Sequence, residues 1–313
     1  MKKIIVENNN KNVISDMGKA QTVRRYSKID QLLSVLTFGF GGSSKPVVAV
    51  LKLDGVIGKV GAMKQGLTLC SLNKLIEKTF KIESLAAVCL SINSPGGSPV
   101  QSELIASRII ELAKEKDVPV YSFIEDVGAS GGYWLACAGD KIYASKSSII
   151  GSIGVIASGF GFEDAISKLG IKRRIYTQGL NKSILDPFLP ENELDVKIVK
   201  KIQKDIHEHF INTVKARRAG SLTQSDEILF NGEFWSGVVA LDYGLIDGID
   251  NLYNFIKKKF GDEVKIEYIE EKQSWFKKRF GLSVSSSEFA DDLASSLIDN
   301  AQQKISRSKF NMF

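Results

Sequence analysis

The chain has 313 residues, 43% apolar and 25% charged, with only six prolines; this is enough apolar material for a substantial core, and it excludes a disordered or fibrous protein. The formal charge of +6 is unevenly held, because Met1 to Lys45 carry eight Lys/Arg against three acidic residues, and a near-neutral remainder argues against a nucleic-acid groove. Cys70, Cys89 and Cys137 stand far apart with no CxxC pair, which excludes a disulfide scaffold and reads as reduced, buried thiols.

Residues 1 to 45 form a basic leader with one short predicted helix at Ile29 to Leu36 and a linker at Gly39 to Ser44. No window approaches the roughly eighteen continuous apolar residues of a spanning helix, and Asn8 to Asn10 precede any apolar segment, unlike a cleavable signal peptide. The expected location is the cytoplasm, with peripheral membrane contact through the leader. A folded domain is expected over residues 46–250. Val47 to Leu51 is an apolar run of strand length, Leu67 to Phe80 a helix, and Ala86 to Ile92 a second buried strand. Ser102 to Glu115 follows as a helix with Leu104, Ile105, Ile109 and Leu112 apolar, then Pro119 to Ile124 as a strand and Ser130 to Ala138 as a helix. This alternation predicts an α/β fold of parallel strands joined by crossover helices. Short runs at Lys141 to Ala144 and Lys172 to Thr177 are read as completing it. Glu191 to Ala219 is a long helix whose stripe of Val196, Val199, Ile202, Ile206, Phe210 and Val214 must be covered by the domain or by another subunit. Gly232 to Gly248 gives a strand or turn and a short helix. Residues 251–313 form a more charged, partly helical extension, ending in an amphipathic helix with Phe289, Leu293 and Leu297.

Ligands of parallel sheets bind beyond the carboxyl ends of the strands, and two glycine-rich turns fall there. One is Asn93-Ser-Pro-Gly-Gly-Ser98, the other Gly128-Ala-Ser-Gly-Gly132. Both can aim bare N–H groups at one point, as an anionic tetrahedral intermediate requires, or both can be merely tight strand-to-helix turns. Ser130 opens a helix, where it is either an N-cap or a nucleophile. It does not sit in a G-x-S-x-G elbow. The only histidines, His207 and His209, lie two apart on the long helix, point to different faces, and are a poor source of a base. A lysine is the realistic alternative, since burial favours the free amine. Lys182, in the turn Gly179 to Phe188, is the candidate, although composition alone reads it as an ordinary surface lysine. Ser152, in Ile150-Gly-Ser-Ile-Gly154, is a hydroxyl able to orient it. No HExxH or His/Cys/Asp cluster suggests a metal, and no cofactor is expected.

Five motifs in order carry a resemblance: Asn93-Ser-Pro-Gly-Gly97, Gly128-Ala-Ser-Gly-Gly-Tyr-Trp-Leu-Ala136, Gly151-Ser-Ile-Gly-Val155, the Gly179 to Phe188 segment, and Gly232 to Gly248 with its Gly-Leu-Ile-Asp-Gly ending. Over residues 46–250 the chain resembles the signal peptide peptidase A family, the S49 serine peptidases. The resemblance implies a crotonase/Clp-protease-like fold and a serine endopeptidase acting on spent signal peptides or unfolded, membrane-derived segments. It assigns Ser130 as nucleophile, Lys182 as general base, Ser152 as the hydroxyl that orients the lysine, and the N–H groups of Gly97 and Gly131 as oxyanion donors. It also implies a homo-oligomeric ring whose neighbouring subunits help form the groove for peptide substrates. Many members have an N-terminal membrane span that this sequence does not show. Two rival readings remain: a crotonase-like acyl-CoA enzyme that uses the paired donors on a thioester enolate, and a non-catalytic peptide-binding scaffold.

Overall fold

The computed structural model describes residues 45–59 and 66–269. The predicted helices at Ile29 to Leu36 and around Phe289 to Leu297, and the linker at Gly39 to Ser44, lie outside the described residues. Strands β1 (Val47–Asp54), β2 (Leu85–Ser94) and β3 (Val120–Ala129) are parallel neighbours, joined by helices α1 (Leu69–Phe80) and α2 (Pro99–Lys116). Each begins in a mainly apolar run, broken in β3 by the buried Ser122, because both of its faces are covered there. Ala49, Leu51, Leu53, Val88, Leu90, Ile92, Val120 and Ile124 belong to the larger core, with Ile76 of α1 and Ile105 and Ile109 of α2. The alternate residues Val48, Val50, Ala87, Cys89, Tyr121 and Phe123 face a second, smaller core.

The remainder of the chain completes one mostly parallel sheet. Helix α3 (Gly131–Ala136) follows β3 directly, and β4 (Lys141–Ala144) and β5 (Ile149–Gly151) come next. The first half of β3 pairs with β4 and its last three residues with β5, both in parallel. Past α4 (Glu163–Lys168), the long α5 (Glu193–Arg217) and the single turn α6 (Asp226–Leu229), strand β6 (Phe234–Ser236) runs antiparallel to β5. After α7 (Gly237–Asp242), β7 (Gly248–Ile249) pairs with β4, and α8 (Leu252–Phe260) places Phe255 and Ile256 over the second core. Strand β8 (Lys265–Ile269) closes the other edge beside β1, so residues beyond 250 contribute to the same sheet.

Three readings differ from the structure. Lys172 to Thr177 is not a strand: the run is cationic and has no pairing partner among the described residues, and Arg173 is held instead by the buried Asp186 at 3.0 Å. Cys70 is exposed, because the stripe that α1 buries is Leu72, Ile76 and Phe80; Cys89 and Cys137 are buried as expected. The stripe on α5 is covered at Phe210 and Val214 only, while Val196 and Val199 are half-buried and Ile202 is exposed. No helix among the described residues is long and apolar enough to cross a membrane.

A buried ion pair ties the end of α5 to the sheet. Arg218 is 4% exposed and its Nη1 lies 2.5 Å from Asp247, while Nε and Nη2 donate to the Gly244 carbonyl. Asp247 also accepts from Lys141 and from the Ile142 N–H, both at 2.9 Å. Burial alone would raise the Asp247 carboxyl; the Arg218 bond and charge, Lys141 and the Ile142 N–H outweigh it and hold the group below its ordinary 3.8. A depressed carboxyl contributes stability that is complete above its unfolded value and is lost as pH falls through the native one. Asp247→Asn should therefore cost about 3 kcal/mol at neutral pH, because it leaves a buried guanidinium without its charge partner. Urea unfolding at pH 7 and near pH 3 checks this, and the gap between wild type and variant should narrow at the lower pH.

Candidate active site

Ser130 links β3 to α3 with φ 51° and ψ −123°, a conformation that only glycine adopts without strain. Its side chain does not cap the helix, so the structural explanation for a serine at this point fails. The backbone around it is fully engaged instead. Its N–H donates to the Gly151 carbonyl at 2.8 Å, and its carbonyl accepts from Tyr133 and Trp134 at 2.9 and 3.1 Å. The hydroxyl is left without a hydrogen-bond partner among the described residues.

Gly97 pairs with Ile57 in a parallel bridge, in which Ile57 donates to Gly96 at 2.8 Å and Ser98 donates to Ile57 at 2.9 Å. The close approach requires glycine, since a Cβ on Gly97, at φ 143°, would stand 2.1 Å from the Ile57 oxygen. The turn also lies directly on the helix start. A Cβ on Gly96 would meet both the Ser130 Cβ and the Gly131 nitrogen at 2.8 Å, and one on Gly131 would lie 3.3 Å from the Gly97 nitrogen. The N–H groups of Gly97 and Gly131 have no acceptor among the described residues. Two glycine N–H groups without an acceptor thus lie in adjoining turns next to a hydroxyl without a partner among the described residues.

These groups open into a small cleft lined by Gly97, Pro99, Ser130, Gly131, Trp134, Gly154, Val155, Ile206 and Phe210. Its apolar wall is built by stacking of Trp134 on Phe210, centroids 4.6 Å apart and 12° from parallel. Ile206 and Phe210 were legible only as part of a stripe that needed cover; nothing local in the sequence marked them as cleft residues. Cys137, one helix length from Ser130, is not a rival nucleophile, since complete burial pushes its thiol up to about 12.

Ser152 sits on the turn that seats Ser130. Gly151 and Ser152 have φ 118° and 51°, Ser152 donates its N–H to Glu233 at 2.6 Å, and Gly154 donates to Ser152 at 2.9 Å. Lys182 is placed differently. It is exposed, on the turn that opens with its N–H donating to Gly179 at 3.2 Å, and it does not line the Ser130 cleft. The segment bearing it is anchored at its base, where Asp186 accepts from Arg173 and the Phe188 N–H and where Phe162 donates to Pro187 at 2.6 Å. Further out, Tyr176 and Leu180 stand almost wholly in solvent. One chain therefore brings together Ser130, Gly131, Gly97 and the Ser152 turn, and leaves Lys182 outside. His207 and His209 bond to the Ile153 carbonyl and to Glu103, and neither lines the cleft. Among the described residues no group of three His, Cys, Asp or Glu side chains is arranged to hold a metal ion.

The family model described as Peptidase family S49 matches residues 112–266. A protein of Enterococcus faecium named for signal peptide peptidase SppA is 30% identical over 237 residues, covering 73% of this chain and 68% of that protein. The chain belongs to peptidase family S49. Another relative of this S49 chain is named Na+/H+ antiporter NhaA, of Brucella melitensis biotype 1. It is 42% identical over 272 residues, which make up 85% of this chain but 37% of that protein. The chain thus spans little more than a third of that relative. A solved structure of a mutant 1510-N membrane-bound stomatin-specific protease with a substrate peptide is similar at TM-score 0.45 and 17% identity, covering 82% of this chain and all of that one.

Proposed function

We propose that this S49 chain is a serine endopeptidase that cleaves extended, unfolded peptides by acyl transfer, with Ser130 as nucleophile and Lys182 as general base. One observation carries the reading: a hydroxyl with no structural task, held at a strained strand-to-helix turn beside two uncommitted glycine N–H groups. Lys182, as the free amine, takes the Ser130 proton while Oγ attacks the substrate carbonyl. The Gly97 and Gly131 N–H groups receive the developing oxyanion, the lysine ammonium protonates the leaving amine, and water then releases the acyl group. Ser152 orients the lysine nitrogen. The reaction so written needs no cofactor.

Lys182 is exposed and outside the cleft in one chain, so in this reading its segment reaches Ser130 either from a second copy on assembly or by folding over its own cleft. The solvent-exposed Tyr176 and Leu180 and the open half of the α5 stripe are consistent with a homo-oligomeric ring that completes the groove. Such a ring admits only short or unfolded chains, among them spent signal peptides. The cleft favours a small or apolar side chain before the scissile bond, since its wall is formed by Trp134, Phe210, Ile206 and Val155. The test is to incubate the full-length protein with unstructured apolar peptides and read new termini by mass spectrometry. Cleavage after small or apolar residues supports the reading; an assembled preparation that cuts none of them overturns it.

A further inference from the structure

We propose that His207 is a positioning residue for the Ser130 site, acting through the turn Gly151 to Gly154; its effect on turnover rests on the peptidase reading above. The His207 Nε2 lies 3.0 Å from the Ile153 carbonyl, across 54 residues of sequence. A carbonyl only accepts, so Nε2 carries the hydrogen, and the bond fixes both tautomer and ring orientation. The held carbonyl lies at the middle of a strained turn. Gly151 and Ser152 before it have positive φ, Gly154 after it lines the cleft, and the Gly151 carbonyl holds the Ser130 N–H at 2.8 Å. A left-handed serine persists only where its surroundings over-determine it, and this turn contains one such serine and supports another.

Gly151 is paired in the sheet with Ala129 and Phe234 and the Ile153 side chain is buried in the larger core; beyond Gly151, the backbone of the turn has two hydrogen bonds from outside it. The Ser152 N–H donates to Glu233 from the β6 side, and His207 holds Ile153 from α5. Removing the second leaves the Ile153 carbonyl unheld and loosens, without releasing, the segment that carries Ser152 and Gly154 and contacts Ser130. The helix itself stays in place, because Phe210 stacks on Trp134 and because the Arg217 guanidinium binds the Cys137, Ala138 and Gly139 carbonyls at the far end of α3. A change at His207 therefore loosens the turn without undocking α5. That separates it from the catalytic groups, which meet substrate, and from the core residues, whose loss would unfold the helix packing.

The experiment compares His207→Leu with His207→Gln, the second of which keeps an N–H donor of similar reach. Two readouts are taken: kcat and KM on a cleaved peptide, and amide exchange over residues 149–155 by mass spectrometry. His207→Leu should lower kcat by about 10- to 100-fold with KM changed less than about 3-fold, as expected when the reacting groups are misplaced while the cleft still holds its substrate. It should also speed exchange over the turn, and His207→Gln should restore most of both. Unchanged exchange over the turn in His207→Leu overturns the inference, as does an equal loss in both variants. If the wild type cleaves no peptide, the peptidase reading fails by itself; faster turn exchange in His207→Leu alone would then still support the structural half of the inference.

Discussion

Ser130→Ala should abolish peptide cleavage, with a loss on the order of 10⁶-fold in kcat, the scale seen when the nucleophile is removed from a serine peptidase. The folded protein should be indifferent to the change. The hydroxyl is not the helix cap, and alanine shares the Cβ that already occupies the positive-φ site, so thermal stability should shift by no more than about 0.5 kcal/mol. A structural serine would behave in the opposite way, losing stability while retaining whatever activity the chain has. The same variant separates the rivals: thioester hydration that survives Ser130→Ala would favour an acyl-CoA enzyme, and a parent protein inactive on every substrate would favour a scaffold.

Lys182→Met should produce a loss of comparable scale with the unfolding midpoint unchanged, because the side chain is exposed in the single chain. Neighbouring exposed lysines such as Lys168 or Lys197 serve as controls and should leave turnover intact. The position of Lys182 outside the cleft adds a sharper expectation. If assembly brings it to Ser130 from a second copy, mixing inactive Ser130→Ala and Lys182→Met chains under conditions that allow subunit exchange should restore part of the activity. If its own segment folds over the cleft, the mixture should remain inactive. Full activity in Lys182→Met would remove it as the base.

The parallel sheet was legible because β1, β2 and β3 are buried on both faces and show as apolar runs, and because α1 and α2 lie between them with clear periodicity. The helix start at Pro99 rather than Ser102 fits proline at a first helical position, which a purely apolar count passes over. The short strands β5 and β7 and the edge strand β8 were not legible, and β6 was legible only as the strand or turn expected within Gly232 to Gly248. Three of them are two or three residues long, and all are defined by partners distant in the chain rather than by their own composition. The same limit applied to the site. The glycine turns at Gly97 and Gly131 were visible as a pattern, whereas the positive φ of Ser130 and Ser152 depends on Gly151, Glu233 and the α5 contacts. His207 illustrates this: on its own helix it is a polar residue at a half-buried position, and only the fold brings it to Ile153.

The most direct measurement is reaction of the assembled wild-type protein with a fluorophosphonate, followed by peptide mapping of the adduct. The account predicts one labelled residue, Ser130, with labelling lost in Lys182→Met while assembly is retained. A preparation that cleaves peptides yet carries the label on another serine, or none at Ser130, would contradict it.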